Sequence, residues 1–492
     1  MYAAPSFRSL PSYKSFSSTK SRGTISDADF DFCLKEVFKR YNCPVGIAIC
    51  KEYVIRDKKT PKSHESKLKY KRITASPLGP DAYSIQTYYG PEVGVTLELI
   101  TKYDHGHLTE LKICEFRQII LPKSALKLIG LIVNSYQQLN RFTIKNCRID
   151  KFVVQEVEKI LNRSTITEIC LDDCPLREAN YDILLKANSC LKSLSLSRCR
   201  IDDDMCQRLA AELHLSEHAE KFLVTLNLSS NQISDTGAKC FSEALRSNRH
   251  LRYLNLADNS ISDEGASHLF NKLIKFPLTE AENRARKHRH MIYMRMKHRL
   301  YLECVRGMGG LKKPSAPSVQ SRARSTTVTS HKKIARAKHT RKLVQNKTIV
   351  TPEKDTTSEE NVDAKADLLA KELAGPFEDP FSPSNVKVED GVPYCVGNFV
   401  LCYLNLQYND LTYLSVTKLV SVLEYQQENL QSGEYGLIKV LLYGNPLPTR
   451  CVELKNIQEM LHARMSRFQS KLKVTSKTSK IGISVSGSGR LQ

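Results

Sequence analysis

Histidines, cysteines and nucleotide-binding loops are where catalytic or metal chemistry would show first. Asp104-His105-Gly106-His107 places two histidines in a turn-like segment, and His288, His290 and His298 cluster further along. A metal site needs three or four ligands at defined spacing, and neither group has a cysteine or carboxylate arrangement that supplies them. Both read as structural or surface histidines. The 15 cysteines run from Cys33 to Cys451, odd in number and without a CxxC pair. That usage fits a reduced cytosolic or nuclear interior better than a disulfide framework or a zinc site. No GxxxxGKS or GxxxxGKT loop occurs, so a nucleotide-driven switch is not expected. The chain reads as having no catalytic residue, no cofactor and no metal. What remains is the chemistry of binding.

The elements that would position binding residues are repeats. One pattern, apolar-x-x-apolar-x-apolar-x-x-(Asn/Cys)-x-apolar, occurs eight times, most clearly at Leu223/Leu226/Leu228/Asn231/Ile233 and again 28 positions on at Leu251/Leu254/Leu256/Asn259/Ile261. Three earlier copies, starting at Leu139, Ile166 and Leu191, put Cys147, Cys174 and Cys199 at the ninth position. A degenerate first copy starts at Leu108, and two late copies at Leu401 and Leu437 carry Asn409 and Asn445. The L-x-L alternation has period two and predicts a short strand buried on one face. A ninth-position side chain lies where the chain turns away, and there it can bond backbone groups that the turn leaves unpaired. Helical periodicity follows each strand, as in Gly237/Ala238/Phe241/Ala244/Leu245 and Gly265/Ala266/Leu269/Leu273. One strand and one helix cannot bury their own faces, so neighbouring repeats must stack into a continuous core. The predicted fold class is an α/β solenoid, with parallel strands on the concave side, helices on the convex side, and a long, mostly disordered insertion.

On these residues the chain resembles leucine-rich repeat proteins of the ribonuclease-inhibitor-like subclass. Successive copies from Leu108 to Leu251 start 31, 27, 25, 32 and 28 positions apart. In layout it also resembles the family of leucine-rich repeat-containing protein 71, with a cap, a central array, a charged interruption and two closing repeats ending in Gly444-Asn445-Pro446. That narrower resemblance implies a non-enzymatic protein of ciliated cells, associated with the axoneme.

Composition agrees with a folded body. Of 492 residues, 41% are hydrophobic and 26% charged, which excludes collagen-like and wholly disordered chains. The most apolar run, 125–133, is too short to cross a membrane and contains Lys127. The net charge of +22 is concentrated: residues 281–350 hold 19 Lys or Arg against Glu282 and Glu303, and 353–390 hold 11 acids against four lysines. Blocks of this kind usually stay solvated and act as interaction tails. The expected organisation is a disordered tail over 1–26, a cap over 27–107, repeats one to six over 108–276, and a charged insertion over 277–396. Repeats seven and eight with a closing helix follow over 397–465, and a disordered tail over 466–492. The N-terminal tail superficially resembles a mitochondrial presequence, but Pro5 and Pro11 interrupt the helix such a signal needs.

Within the insertion, Thr279 and Glu282 form a plausible capping box for a basic helix over 279–306 with Ile292, Met296, Leu300 and Cys304 on one stripe. The stripe packs on the preceding repeat or, with its basic neighbours, takes a calmodulin-like partner or a membrane surface. Disordered basic sequence is expected to 350, then an acidic portion over 353–390 with a short helix near 362–373. Candidate basic contacts are Arg284, Lys287, Arg295, Arg299, Lys332, Lys333, Arg341 and Lys342. They would attract an acidic surface such as tubulin tails, with nucleic acid less favoured because aromatics for stacking are sparse; the two charged stretches also have the means to neutralise each other. From Leu251 to Leu401 is 150 positions, yet two repeats alone would expose their core at both ends, so direct stacking of copy seven on copy six is favoured. The concave face is the expected site for a protein partner, with candidates Arg141, Lys145, Asp172, Arg198, Tyr253, Asp258, Tyr403, Tyr408 and Tyr443. The leading reading is a cytoskeletal or ciliary scaffold in the cytoplasm; alternatives are a nuclear or RNA-associated adaptor and a regulator of a small GTPase.

Overall fold

The computed structural model describes residues 30–53, 86–88, 95–186, 190–215, 217–308, 359–431, 434–448 and 451–481. The tail expected over 1–26, the basic stretch from 309 to 350 and its Lys332, Lys333, Arg341 and Lys342 lie outside these residues. Two compact units hold the described chain: one within 1–277, 387–389 and 394–492, the other within 278–386 and 390–393.

The first unit is built on an eleven-stranded sheet. Its strands are β1 (Gly46–Tyr53), β2 (Gln86–Tyr88), β3 (Thr96–Asp104), β4 (His107–Cys114), β5 (Arg141–Lys145), β6 (Glu168–Cys170), β7 (Ser193–Ser195), β8 (Thr225–Asn227), β9 (Tyr253–Asn255), β10 (Tyr403–Asn405) and β11 (Lys439–Leu441). From β4 to β11 every neighbouring pair is parallel, so this is the α/β solenoid that the repeats predict. The motif leucines, such as Leu226, Leu228, Leu254 and Leu256, are fully buried. Behind the strands lie α1 (Phe30–Arg40), α2 (Lys123–Val133), α3 (Lys151–Leu161), the single turn α4 (Ile183–Lys186), α5 (Asp203–Ala211), α6 (Asp235–Leu245) and α7 (Asp263–Phe270). Asp150, Asp202, Ser234 and Ser262 each cap a helix by accepting a backbone N–H, which satisfies donors that a helix start leaves free.

The first copy differs from its expected form. The strand at Leu108 is eight residues long and forms an antiparallel hairpin with β3 as well as a parallel pair with β5. Cap and repeats thus share one sheet across position 108. The D-H-G-H segment is the hairpin turn, with His105 at φ +53° and Gly106 at φ +85°, a left-handed pair that suits such turns.

Copy seven stacks directly on copy six: Tyr253, Leu254 and Asn255 are in register with Tyr403, Leu404 and Asn405. The chain leaves and returns at one place, where Phe276 and Pro277 pair antiparallel with Cys395 and Tyr394. Asn398 then secures the re-entry, donating to the carbonyls of Leu245 and Asn248 and accepting from the N–H groups of Val400 and Leu401. Asn248 does the equivalent work three residues before Leu251.

The second unit contains α8 (Glu280–Gly307) and α9 (Glu359–Ala374). The Thr279/Glu282 capping box is present at the start of α8, and α9 ends at Gly375, φ +68°. Both helices stand where the sequence predicts them, over 279–306 and near 362–373, and the second is longer than expected, at sixteen residues. Of the expected apolar stripe only Cys304 is buried, whereas Ile292 and Met296 are exposed. Over the rest of its length α8 turns the side of Tyr293, Lys297 and Tyr301 to α9, about 100° or more around the helix from Ile292. Lys297 pairs with Asp367 at 3.3 Å and Tyr301 donates to Asp363 at 3.0 Å, while Cys304, Val305 and Ala366 form a small core. Arg289 grips Asp379 through two nitrogens, at 2.5 and 3.2 Å. Mutual neutralisation of the basic and acidic stretches is thus visible where they meet.

Two further helices close the first unit, α10 (Tyr413–Asn429) and α11 (Val452–Ile481). The tail expected from 466 begins instead as part of α11. No proline or glycine intervenes between Pro448 and Gly482 to stop a helix, and Phe468 packs edge-on against Tyr435 with ring centroids 4.9 Å apart.

Candidate functional site

The ninth-position residues form a ladder beneath the turn. Asn231 accepts from the N–H groups of Cys199 and Ile201 and donates to the carbonyls of Leu196 and Leu228. Asn259 accepts from Ile233 and donates to Leu228 and Leu256. Asn409 accepts from Ile261 and donates to Leu256, and Asn445 accepts from Asn409 and Leu411. At Cys147, Cys174 and Cys199 the thiol donates upstream, to Ile113, Ile144 and Leu171 respectively. A thiol must stay protonated to do this, and burial pushes Cys199 up to about 12. These seven side chains hold the fold and are mostly covered.

One position earlier, each turn enters the left-handed region. Glu115, Asn146, Asp173, Arg198, Ser230, Asp258 and Tyr408 have φ between +52° and +58°, and Gly444 follows at +81°. Arg198, Asp258 and Tyr408, expected between the buried strand positions, therefore stand on the turn at the end of the strand instead. Their spacing relative to the ninth position was the available signal, since L-x-L alternation ends two residues before them.

The open face of the sheet carries two rows. One runs through Glu110, Arg141, Glu168, Ser193, Thr225, Tyr253, Tyr403 and Lys439 in register. Its first part is a chain of alternating charge: Lys102 meets Glu110 at 2.8 Å, and Arg141 holds Glu168 at 2.5 to 2.7 Å. Arg141 is thus engaged within the sheet, and Lys145 lies half-buried four residues on. The row ends in aromatics. Tyr253 and Tyr403 have centroids 5.6 Å apart, and the Lys439 ammonium lies 5.7 Å over the Tyr403 ring.

The second row runs through Ser195, Asn227 and Asn255 and was missed in the sequence. Asp172 accepts from the Ser195 hydroxyl at 2.6 Å and the Ser197 N–H at 3.0 Å. Asn227 donates to Ser195 at 2.8 Å, and Asn255 donates to Asn227 at 2.7 Å. Asp172 is thereby the end of a polar chain across four strands. Small side chains leave this middle of the face low.

Beyond the low floor stands the second aromatic pair, Tyr408 and Tyr443, in T-shaped contact at 5.7 Å. Tyr253, Tyr408 and Tyr443 are 45%, 52% and 73% exposed. All four tyrosines therefore belong to β9, β10, β11 and their turns, and direct stacking across the insertion is what makes them neighbours. Among the described residues no group of three His, Cys, Asp or Glu side chains is disposed to hold a metal ion. No helix among them is long and apolar enough to cross a membrane. In the other unit, Arg284, Lys287, Arg295 and Arg299 are all exposed on α8.

Residues 187–209, 221–242 and 247–270 match the family model described as Leucine Rich repeat. Among solved structures, the tropomodulin C-terminal domain from Caenorhabditis elegans is similar, with 14% identity over 28% of this chain and 81% of that chain, and a TM-score of 0.23. The matched segments span the strands β7, β8 and β9 with their helices, and the same strand, ladder residue and helix recur on either side of them. The first unit is a leucine-rich repeat solenoid.

Proposed function

We propose that the chain is a non-enzymatic scaffold that takes a protein partner on the open face of its sheet, at the aromatic end. The observation that carries this reading is the pair of tyrosine contacts, Tyr253 with Tyr403 and Tyr408 with Tyr443, in which Tyr253, Tyr408 and Tyr443 are exposed and Tyr403 is half-buried. Rigid tyrosines offer large amphipathic contact area at low entropic cost and are frequent interface hot spots. The charged end of the same face is a poorer candidate, because its ions already neutralise one another. The test is affinity capture from cells with the whole chain and with Tyr253→Ala, Tyr403→Ala and Tyr408→Ala together. Loss of specific partners supports the reading, and capture of the same set by the triple variant sinks it.

The cytoskeletal or ciliary placement implied by the narrower resemblance is part of the proposal. Localisation of the tagged chain in a ciliated cell tests it separately: axonemal signal supports it, and diffuse nuclear signal refutes it in favour of the RNA-associated alternative.

A further inference from the structure

The second unit offers a different surface. Arg284, His288, Arg295, Arg299 and Arg306 are all exposed on α8. At 100° per residue they fall within an arc of about 60° on the side of the helix away from Tyr293 and Lys297, and at 1.5 Å per residue they extend along about 33 Å. Arg284 has one partner, Glu280 at 3.1 Å in the same helix. Among the described residues, Arg295, Arg299 and Arg306 have no carboxylate partner. A straight cationic stripe thus stands on one side of a helix whose other side already pairs with the carboxylates of Asp363, Asp367 and Asp379.

We infer that this stripe docks an acidic, partly apolar peptide segment of another protein. Charge complementarity sets the sign of the partner, and three details set its class. Met291 borders the stripe, about 20° beyond its edge, and is about half exposed, and methionine adapts to irregular apolar surfaces. A phosphate backbone would leave that side chain unused. The aromatic residues that could stack on bases, Tyr293 and Tyr301, are on the side engaged with α9, which disfavours single-stranded RNA. Ile292 and Met294 project on opposite sides of α8, so its apolar residues do not gather into the single face that insertion at a bilayer surface requires. The surface is independent of the tyrosine face, and either can fail without the other.

The experiment uses the full-length chain. Its probes are a labelled synthetic peptide of alternating acidic and leucine turns, oligouridine of similar charge, and phosphatidylserine vesicles, each titrated at low and physiological salt. Two quadruple variants are compared, Arg284, Arg295, Arg299 and Arg306 all →Gln and all →Lys. The cations of 309–350 are the same in every protein, so a difference reads the stripe alone. Exposed charge contacts are individually weak, so four together are expected to change affinity about tenfold or more at low salt, with the effect shrinking as salt rises. Peptide binding that falls by this factor in the glutamine variant and persists in the lysine variant supports the proposal. Met291→Ser should weaken the peptide further while leaving oligouridine unaffected. Unchanged peptide binding in the glutamine variant overturns the proposal, as does tighter binding of oligouridine or vesicles than of peptide.

Discussion

The ring of Tyr408 occupies the space that a side chain on Gly444 would need. A methyl group built on Gly444 would lie 2.6 Å from Cε1 and 2.9 Å from Cγ of Tyr408, closer than real atoms approach. The two residues hold the same position in successive repeats, both on the left-handed turn, at φ +52° and +81°. Glycine at 444 therefore does two things: it adopts the turn without strain, and it leaves room for the tyrosine ring that meets Tyr443. Gly444→Ala should expel the Tyr408 ring and break the Tyr408–Tyr443 contact. The expected result is partner loss comparable to Tyr408→Ala in affinity capture, with the earlier repeats still folded by circular dichroism.

Tyr408 itself is held in a conformation that bulky residues avoid, which costs about 1 to 2 kcal/mol relative to a residue at ease there. Asparagine tolerates this region, as Asn146 does at the same position of an earlier repeat. Tyr408→Asn is therefore expected to raise the thermal midpoint by a few degrees while weakening the partner. A variant that is both less stable and equally able to bind would contradict the assignment of this residue to the interface.

Repeats six and seven are separated by the whole insertion in sequence and joined by Asn409 in space. Its side chain accepts from Ile261 and donates to the Leu256 carbonyl, both in the preceding repeat. Removing it leaves the buried Ile261 N–H unpaired, while the Leu256 carbonyl keeps its bond from Asn259. Asn409→Ala should lower stability by about 1 to 3 kcal/mol in urea unfolding and loosen the last two repeats first, since a solenoid couples only through neighbours. Asn409→Cys should do less harm, because Cys174 accepts a backbone N–H through its sulfur at the equivalent rung. Hydrogen exchange of repeats seven and eight against repeats four to six reads the difference.

Much of this was legible because the repeat writes the same residue at the same offset. Leu254 and Leu404 announce their strands, and Asn259 and Asn409 announce their rungs, whatever lies between them. Other features were illegible for stated physical reasons. Ser195, Asn227 and Asn255 look like ordinary polar face residues, and only register shows that they form one chain of hydrogen bonds. Asn398 was hidden because its role depends on where the chain re-enters. On α8, both the Ile292 and the Tyr293 stripes have helical period, and the choice between them is made by α9, whose tyrosine and lysine contacts outweigh a purely apolar pattern.

The three cysteine rungs should be chemically silent in the native state. Cys199 is fully covered, its thiol raised by burial to about 12, and it donates to Leu171. Cys190, a few residues earlier, is exposed. Thiolate is the reactive form, so brief maleimide treatment at neutral pH should modify Cys190 and leave Cys174 and Cys199 untouched until urea is added; Cys147, whose thiol pKa the contact with Cys174 lowers, is protected by its burial alone. Mass spectrometry of digested samples gives the order, and early labelling of Cys199 would mean that the ladder opens in the native protein.

Acid should weaken the link between repeats six and seven through one carboxylate. Burial raises the pKa of Asp263, but hydrogen bonds from Ser415 and Thr412 outweigh it and hold the group below its ordinary value. Those bonds come from the hydroxyls and backbone N–H groups of both residues at the start of α10. A carboxylate with a depressed folded-state pKa stabilises the fold fully above its unfolded value, about 3.9, and the contribution is lost as pH falls through the lower folded value. The difference in thermal midpoint between the natural chain and Asp263→Asn should therefore be constant from about pH 7 to about pH 5 and shrink below about pH 4. A difference that grows on acidification would mean that Asp263 is protonated in the folded chain and that its bonds to α10 are made by the neutral acid.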